Sequence, residues 1–192
     1  MFQKQLKSAF LIFLLLTVIT GIIYPFVITA VAQIFFRHQA EGSIIFKDRK
    51  PIGSSLIGQS FEDPNYFWGR LSATSPVAFD ASVSSGSNFG PLNVALRQKV
   101  DARIKSLQSA DPGNKSPVPV DLVTGSASGL DPHISVAAAL YQVPRVARLR
   151  GISEEEVVRI VRGNTQGRLM GVIGEPVVNV LQLNMALDKY GK

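Results

Sequence analysis

Two segments of the chain combine glycine with hydroxyl, amide and carboxyl side chains, and both could do chemistry. They are residues 85–93 and residues 121–135. Glycines permit tight backbone turns, and backbone amides that converge at a helix start can hold a phosphate group. The same residue types are also typical of a turn followed by a helix N-cap, and this is the commoner use. The pattern alone therefore favours two structural turns over two anion-binding loops.

Several catalytic and metal-binding interpretations fail on residue type. The centre of Gly125 to Gly129 is Ala127, so the serine of a nucleophile elbow is missing. His38 and His133 lack partners at a metal-ligand spacing, and the lysine pattern of a P-loop is missing. The chain contains no cysteine, which excludes a thiol nucleophile, a thiolate metal site and a disulfide. We therefore predict no catalytic residues and no metal site.

The elements that must position these segments can be predicted from periodicity and capping. Gly90-Pro91 is predicted to open a helix that ends at Asp111-Pro112-Gly113, and residues 118–123 are predicted to be extended at a sheet edge. Asp131-Pro132 pairs an N-cap with a favoured first helical residue and predicts a helix over residues 135–141. A further short helix is predicted to start at Pro144 and to stop at Gly151.

The rest of the soluble region predicts a mixture of strands and helices. Residues 43–46 and 52–57 form an expected pair of strands around a turn, and residues 177–180 form another strand. Ser153 and Glu156 have the spacing of a capping box, and residues 181–190 fit a terminal amphipathic helix. Residues 59–88 are rich in turn formers yet carry many aromatic side chains, so we expect an ordered loop with buried rings. The order lacks βαβ regularity and predicts an α+β domain.

The N-terminal region is predicted to span a membrane. Residues 9–36 carry no charged side chain. A helix of this length can cross a bilayer once. Pro25 predicts a kink near Tyr24. A cleaved signal peptide is the alternative, but its apolar core would be shorter. We predict a short tail (residues 1–8), a transmembrane helix (residues 9–36) and one soluble domain (residues 37–192).

Charge excludes one class of partner and leaves the side of the membrane open. Of the 20 Lys and Arg residues, 18 lie beyond the span with all 14 acidic residues, a net charge of +4. A nucleic-acid surface would concentrate such charge beside aromatics, whereas here arginines alternate with Glu154, Glu155 and Glu156. We therefore predict no nucleic-acid partner. Basic residues lie on both flanks of the span, and although a simple count by the positive-inside rule would favour a cytoplasmic domain, the sequence alone leaves the side open.

Four ordered segments together resemble the KdpC family, the C subunits of the bacterial Kdp potassium-uptake complex. They are residues 56–61, 85–93, 121–135 and 178–184, and the similarity spans essentially the whole chain. Leu71 stands where the family commonly has proline, and Ala127 stands where glycine is usual. These departures affect local backbone geometry rather than the assignment.

The resemblance implies a non-catalytic accessory subunit of an ATP-driven, high-affinity potassium-transporting complex. Its implied partners are the lipid bilayer, a channel-like potassium-binding subunit and a P-type ATPase subunit that carries hydrolysis. The implied location is the bacterial cytoplasmic membrane, with the soluble domain outside the cytoplasm. Family members are also described as raising the ATP affinity of the ATPase subunit.

The resemblance also raises ATP as a direct ligand. Residues 124–129 faintly resemble the signature loop of ABC ATPases, and Gln142 matches the glutamine that the family is proposed to use for nucleotide contact. Two points argue against direct ATP binding. Asp131, as a helix cap, would place a carboxylate where a phosphate should bind. ATP would also lie on the opposite side of the membrane from an external soluble domain. We expect Gln142 to be a helix-end residue with a structural hydrogen bond. A nucleotide-binding chaperone and a membrane-anchored periplasmic enzyme are the alternatives.

Overall fold

The computed structural model describes residues 2–190, which form two compact units, one up to Ile44 and the other from Ile45 onward. The first unit is dominated by one long helix. It is built from α1 (Phe2–Val18), a π-helical turn (Ile19–Ile23) and α2 (Tyr24–Phe35), and a short helix α3 (Arg37–Ala40) follows.

The long helix is a candidate membrane span. It covers Phe2–Phe35, 34 residues whose most apolar window has a mean hydropathy of 2.6 and no buried residue. A helix of this length rises about 50 Å, more than the roughly 30 Å of a bilayer core. Residues 2–8, predicted to be a tail, continue the same helix.

Near Pro25, where a kink is predicted, the helix contains the π-helical turn, which ends two residues before the proline. Proline lacks an N–H, so the carbonyl of Gly21 loses its usual helical partner, and a widened turn is one way to absorb that loss. Two hydroxyls in this region bond back to the helix. Thr17 donates to the carbonyl of Phe13 at 2.8 Å, and Thr20 donates to that of Leu16 at 2.7 Å.

The second unit mixes helices with two small sheets, which confirms the predicted α+β class. Strand β1 (Ile44–Lys47), which starts at the last residue of the first unit, pairs with β2 (Lys50–Ser54) around a turn in which Asp48 and Arg49 have positive φ. A second, antiparallel sheet has the order β3-β5-β4, with β3 (His133–Ser135), β4 (Thr165–Gln166) and β5 (Val177–Asn179). Ile134 pairs with Val178 at its centre, and both side chains are buried.

Up to residue 190, five helices complete the second unit. They are α4 (Val94–Ala110), α5 (Val120–Val123), α6 (Val136–Arg150), α7 (Glu154–Gly163) and α8 (Val180–Tyr190). The predicted capping box is confirmed at α7, where the Ser153 hydroxyl accepts from the Glu156 amide and the Glu156 carboxylate accepts from the Ser153 amide. Val157 and Val161, one helical turn apart, are fully buried on one face of α7.

Two predictions near α4 and α5 are wrong in detail. Helix α4 begins at Val94 rather than at Pro91, because Asn93 caps it by accepting from the Ala95 amide at 2.8 Å. Leu92 therefore lies outside the helix and is exposed. The segment predicted to be extended contains α5, a single helical turn that begins after Pro119 and buries Leu122. Proline restricts the backbone before a turn as readily as at a strand edge.

The predicted helix start at Pro144 is also wrong, since Pro144 lies inside the continuous helix α6. An interior proline breaks one backbone hydrogen bond and crowds the preceding turn. Here the helix continues because Val143, Val146 and Ala147 bury its face in the core. The Asn114 amide also ties this part of α6 to a distant loop by donating to the carbonyl of Tyr141 at 2.9 Å. The helix ends as predicted at Gly151, which has a φ of +66°.

The apolar helix yields a direct test of membrane anchoring. Replacing both Leu14 and Leu15 by arginine should prevent membrane insertion, because each central charge costs about 2.5 to 3.5 kcal/mol. The matched control, Leu14→Ala/Leu15→Ala, should stay in the membrane fraction. Recovery of the arginine variant in membranes at the wild-type level would show that these residues do not lie at the centre of a span.

Candidate functional site

The candidate site is built around a stretch of irregular backbone that two side-chain amides hold in the core. Gln142 of α6 accepts from the Trp68 amide at 2.8 Å and donates to the Trp68 carbonyl at 3.1 Å. Asn184 of α8 accepts from the Phe67 amide at 2.9 Å and donates to the Phe67 carbonyl at 3.0 Å. Two consecutive residues of the loop thus receive from side chains the hydrogen bonds that a neighbouring strand would supply.

Gln142 has no hydrogen-bonding capacity left over. Its oxygen also accepts from an Arg145 guanidinium N–H at 2.7 Å, and its nitrogen also donates to the Ala138 carbonyl at 3.2 Å. A primary amide has two donor hydrogens and two acceptor lone pairs, so all four are used. Gln142 is 1% exposed and lies in the middle of α6, so its predicted position at a helix end is wrong.

Arg145 ties the same loop to α6 from a fully buried position. Its guanidinium donates to the carbonyls of Pro64 and Tyr66, the latter at 3.0 Å. Burial lowers the pKa of Arg145 to about 10, although the nearby carboxylate of Asp111 acts in the opposite direction. The side chain remains charged at neutral pH, and its bonds to carbonyl oxygens compensate part of the cost of burying that charge.

The indole ring of Trp68 is held by two cations. The guanidinium carbons of Arg103 and Arg145 lie 4.9 Å and 4.8 Å from its centroid. Arg103 also donates to the carbonyls of Gly69 and Leu122, which joins α4 and α5 to the loop. Such contacts with an aromatic face are favourable within about 6 Å and gain strength when they are shielded from water. The expectation that the aromatic loop is ordered, with buried rings, is confirmed at Phe67 and Trp68.

The structure brings the two glycine-containing segments together. The Ser85 amide donates to the Ser128 carbonyl at 2.9 Å. Ser72, which lies outside both segments, also donates its hydroxyl to the Gly129 carbonyl at 2.7 Å. A Cβ atom at Gly129 would lie 2.6 Å from the Ser85 carbonyl oxygen, and one at Gly86 would lie 2.8 Å from that of Ala127. Glycine is required at both positions because one backbone packs against the other.

Asp131 does not cap a helix, so that prediction is wrong. Its carboxylate accepts from the His133 amide at 3.0 Å, an Asx turn that leads into β3. Helix α6 begins only at Val136 and is capped by Ser135, whose hydroxyl accepts from the Ala138 amide. The pairing of β3 with β5 keeps this stretch extended, and Pro132 is compatible with that backbone.

Asp131 instead anchors a polar cluster with Arg70 and His133. Arg70 lies 3.0 Å from one carboxylate oxygen, and the ring Nδ1 of His133 lies 3.2 Å from the other. Arg70 also donates to the Gly125 carbonyl at 3.2 Å, while within residues 2–190 its buried Nε has no partner. Burial alone would raise the pKa of the Asp131 carboxyl, but the hydrogen bonds from His133 and the charge of Arg70 outweigh it and hold the pKa below its ordinary value.

Two shallow grooves border this cluster. One, of about 220 Å³, is lined by Arg70, Arg103 and Phe79, and the other, of about 490 Å³, is lined by Asp121, Asp131 and His133. Over residues 2–190, no three His, Cys, Asp or Glu side chains are grouped so that they could hold a metal ion. Gln142 faces neither groove, since its four hydrogen bonds all go to Trp68, Arg145 and Ala138.

Sequence reasoning missed the residues that organise this region. Asn184 was predicted only as a member of the terminal amphipathic helix, and Arg103 only as part of a polar helix face. Arg145 was predicted to lie on a solvated helix face, which is wrong because it is buried. Their partners lie far away in sequence: the Asn184 bonds to Phe67 span 117 residues, and the Arg145 bond to Tyr66 spans 79. One sequence feature could have pointed to such residues: an amide or guanidinium on the apolar face of a helix. An unpaired polar group there would be costly, so a buried hydrogen-bond partner is expected.

The carboxyl of Asp131 should make the free energy of unfolding depend on pH. A carboxyl whose pKa is lowered by folding stabilises the fold above its unfolded pKa, and this contribution is lost as the pH falls through the folded pKa. The stability deficit of Asp131→Asn should therefore be largest near neutrality and shrink below about pH 4. Thermal unfolding of the detergent-solubilised chain across this range measures it. Asp131→Ala, which also loses the Asx turn, should keep a deficit in acid, and a deficit of Asp131→Asn that is independent of pH would contradict the assignment.

Removing the Gln142 amide should weaken the fold substantially. Gln142→Ala leaves the Trp68 amide and carbonyl and one Arg145 N–H without partners, and we expect a loss of about 2 to 3 kcal/mol in the free energy of unfolding. Gln108→Ala, at an exposed position of α4, should stay within about 0.5 kcal/mol of the wild type. Trp68 is the only tryptophan of the chain, so its fluorescence during denaturant titration reports on this site directly. Equal stabilities of the two variants would contradict the structural role.

Comparisons with known proteins agree with the resemblance found in the sequence. A family model described as KdpC, K⁺-transporting ATPase, c chain, matches residues 6–189. A potassium-transporting ATPase KdpC subunit of Sorangium cellulosum is 58% identical over 184 residues, which cover 96% of this chain and 97% of that protein. The KdpC subunit of Dechloromonas aromatica is 57% identical over 190 residues, 99% of this chain and all of that protein.

The match is continuous from the candidate span through α8, so it includes the apolar helix, the aromatic loop and the helices that hold it. Gln142, Asn184, Arg145 and Arg103 all lie within the matched range. The chain belongs to the KdpC family, the c chains of K⁺-transporting ATPases.

Proposed function

We propose that this chain is a non-catalytic accessory subunit of an ATP-driven, high-affinity potassium uptake complex, in which a partner subunit carries ATP hydrolysis. The observation that carries the proposal is the family match over residues 6–189, together with full-length relatives named as potassium-transporting ATPase KdpC subunits. The partners are a channel-like potassium-binding subunit and a P-type ATPase subunit. In this role the chain stabilises the assembled pump.

The subunit is anchored in the bacterial cytoplasmic membrane by the helix Phe2–Phe35, and its soluble domain lies outside the cytoplasm. The apolar length of the helix supports the anchor. The family resemblance supports the external side of the membrane for the soluble domain, and the charges flanking the span do not decide it.

The span acts by packing against helices of the partner subunits. Small residues allow helices to approach closely in lipid, and Thr17, Thr20 and Gly21 supply such residues near the π-helical turn. The space around the Gly21 Cβ position is open, with no atom within 4 Å, so a partner helix can come close there. Potassium itself is coordinated by a partner, because one span cannot build a ring of carbonyl oxygens.

The soluble domain acts as a rigid cover over the outer potassium entrance of a partner subunit, and any gain in the ATP affinity of the ATPase subunit is indirect. The hydrogen bonds of Gln142 support this mechanism. A direct contact between this side chain and ATP would have to break bonds to Trp68 or Arg145 in a site that is 1% exposed. The segment over residues 124–129 is engaged with Arg70 and Ser85 instead.

The location of the soluble domain tests this proposal against the nucleotide-binding alternative. Because the chain has no cysteine, Ser109→Cys on the exposed surface of α4 introduces a single thiol. In intact cells that express the whole complex, a membrane-impermeant maleimide should label this thiol, and the labelled subunit should co-purify with the ATPase subunit. A second variant, Lys4→Cys, should be labelled only after the membrane is permeabilised.

The opposite labelling pattern would place the soluble domain beside cytosolic ATP and would overturn the proposed location. Failure of the unmodified chain to co-purify with the ATPase subunit would overturn the accessory role itself.

A further inference from the structure

Residues 167–176 form an exposed apolar hairpin between β4 and β5, which we call the apolar hairpin. Gln166 and Val177 pair at its base. Its four large aliphatic side chains all face solvent, with exposed fractions of 64% for Leu169, 89% for Met170, 78% for Val172 and 62% for Ile173. Loop tips normally favour polar residues, and a contiguous exposed apolar group marks an interaction site.

The hairpin is held in shape by its own contacts. Leu169 and Ile173 exchange two backbone hydrogen bonds, of 2.9 Å and 3.0 Å. Met170 and Gly171 have positive φ, as a tight reversal of the chain requires. Both carboxylate oxygens of Glu175 accept from one guanidinium nitrogen of Arg168 at 2.9 Å. A preorganised loop loses little conformational entropy when it binds, so these contacts favour a binding element.

The composition of the hairpin distinguishes between partners. Segments that insert into the membrane interface combine aromatic residues with several free cations, whereas residues 167–176 contain no aromatic residue and one cation. That cation is Arg168, whose charge is balanced by Glu175. The tip therefore lacks the charge that would attract an anionic lipid surface or a charged peptide, and it fits an uncharged, aliphatic socket on a protein.

The size of the hairpin argues against a second copy of the chain as the occupant. Four aliphatic side chains expose on the order of a few hundred Å². Two such hairpins facing each other fall below the roughly 1,200 Å² that a stable interface buries. The hairpin has the size of one anchor within a larger contact, such as a subunit that is also held by its membrane helix.

We infer that Leu169, Met170, Val172 and Ile173 insert into an apolar socket on the outer surface of a partner subunit of the potassium-transporting complex. This inference rests on the proposed function, because it requires the soluble domain to meet that subunit. The hairpin supplies the apolar centre of the contact, and Arg168 with Glu175 closes its base. Burial of a few central side chains carries most of the binding energy in such contacts.

Single-cysteine labelling of the complete complex tests the inference. Val172→Cys and Ser109→Cys each carry one thiol in this subunit. In neutral phosphatidylcholine vesicles that contain the chain alone, with maleimide on both sides of the membrane, both thiols should react at rates within about twofold of each other. In the complex purified through a tag on the ATPase subunit, labelling of Val172→Cys should fall about tenfold relative to Ser109→Cys, as expected for burial in a central contact.

A pair of double variants supplies the independent measurement. Leu169→Ser/Ile173→Ser should reduce recovery of the subunit with the tagged ATPase subunit about tenfold after a stringent wash. The matched control, Leu92→Ser/Val94→Ser, removes two exposed apolar side chains elsewhere and should leave recovery within about twofold of wild type. The fluorescence of Trp68 verifies that both variants are folded.

Each alternative has its own outcome. Protection of Val172→Cys in vesicles that contain the chain alone would indicate insertion into lipid, or self-association if the protection rises with protein density, and either result overturns the inference. Full reactivity of Val172→Cys in a complex that co-purifies normally overturns the socket while the proposed function stands. If the unmodified chain does not co-purify at all, the proposed function fails and the inference fails with it.

Discussion

The second unit depends on satisfying the backbone of a loop that has almost no regular secondary structure. Residues 55–93 contain no helix or extended strand, yet Phe67 and Trp68 lie in the core with at most 5% exposure. Buried amides and carbonyls without partners would cost several kcal/mol. Gln142 and Asn184 remove this cost by pairing with one residue each. The loop is therefore specified by side chains of α6 and α8 rather than by a β-ladder.

From this pair of amides, contacts extend through the rest of the region. Once Trp68 is fixed, its neighbours Gly69, Arg70 and Leu71 are fixed as well: Gly69 accepts from Arg103, and Leu71 forms a parallel bridge with Gly125. Arg70 then reaches Asp131, the residue that turns the chain into β3. The glycine-containing segments are thus held by the same network as the tryptophan. This favours a domain that moves as one body, which suits the accessory role proposed above.

The sequence was most informative where the determinants are local. The capping box at Ser153 and Glu156, the strand at Val177 and the terminal helix α8 depend on residues a few positions apart, and their positions were predicted correctly. Pro144 and Asp131 misled for the opposite reason. Pro144 favours a helix start, but the buried face of α6 keeps the helix continuous through it. Asp131 favours a helix cap, but the pairing of β3 with β5 keeps the chain after it extended. The partners of Gln142 and Asn184 could not be predicted at all, because nothing in the spacing of residues 67, 142 and 184 indicates that they meet.

Strand β5 links this network to the apolar hairpin. Its residues pair with β3 on one side and β4 on the other, and α8, which carries Asn184, begins at the very next residue. The Asn179 side chain strengthens this junction, because it donates to the Ser55 carbonyl and accepts from the Gln182 amide. The base of the hairpin is therefore fixed by β5, which leads directly into α8, the helix whose Asn184 holds Phe67. A contact made at the exposed tip would be supported by the buried amides, since displacement of β5 would disturb α8 and the Asn184 hydrogen bonds together.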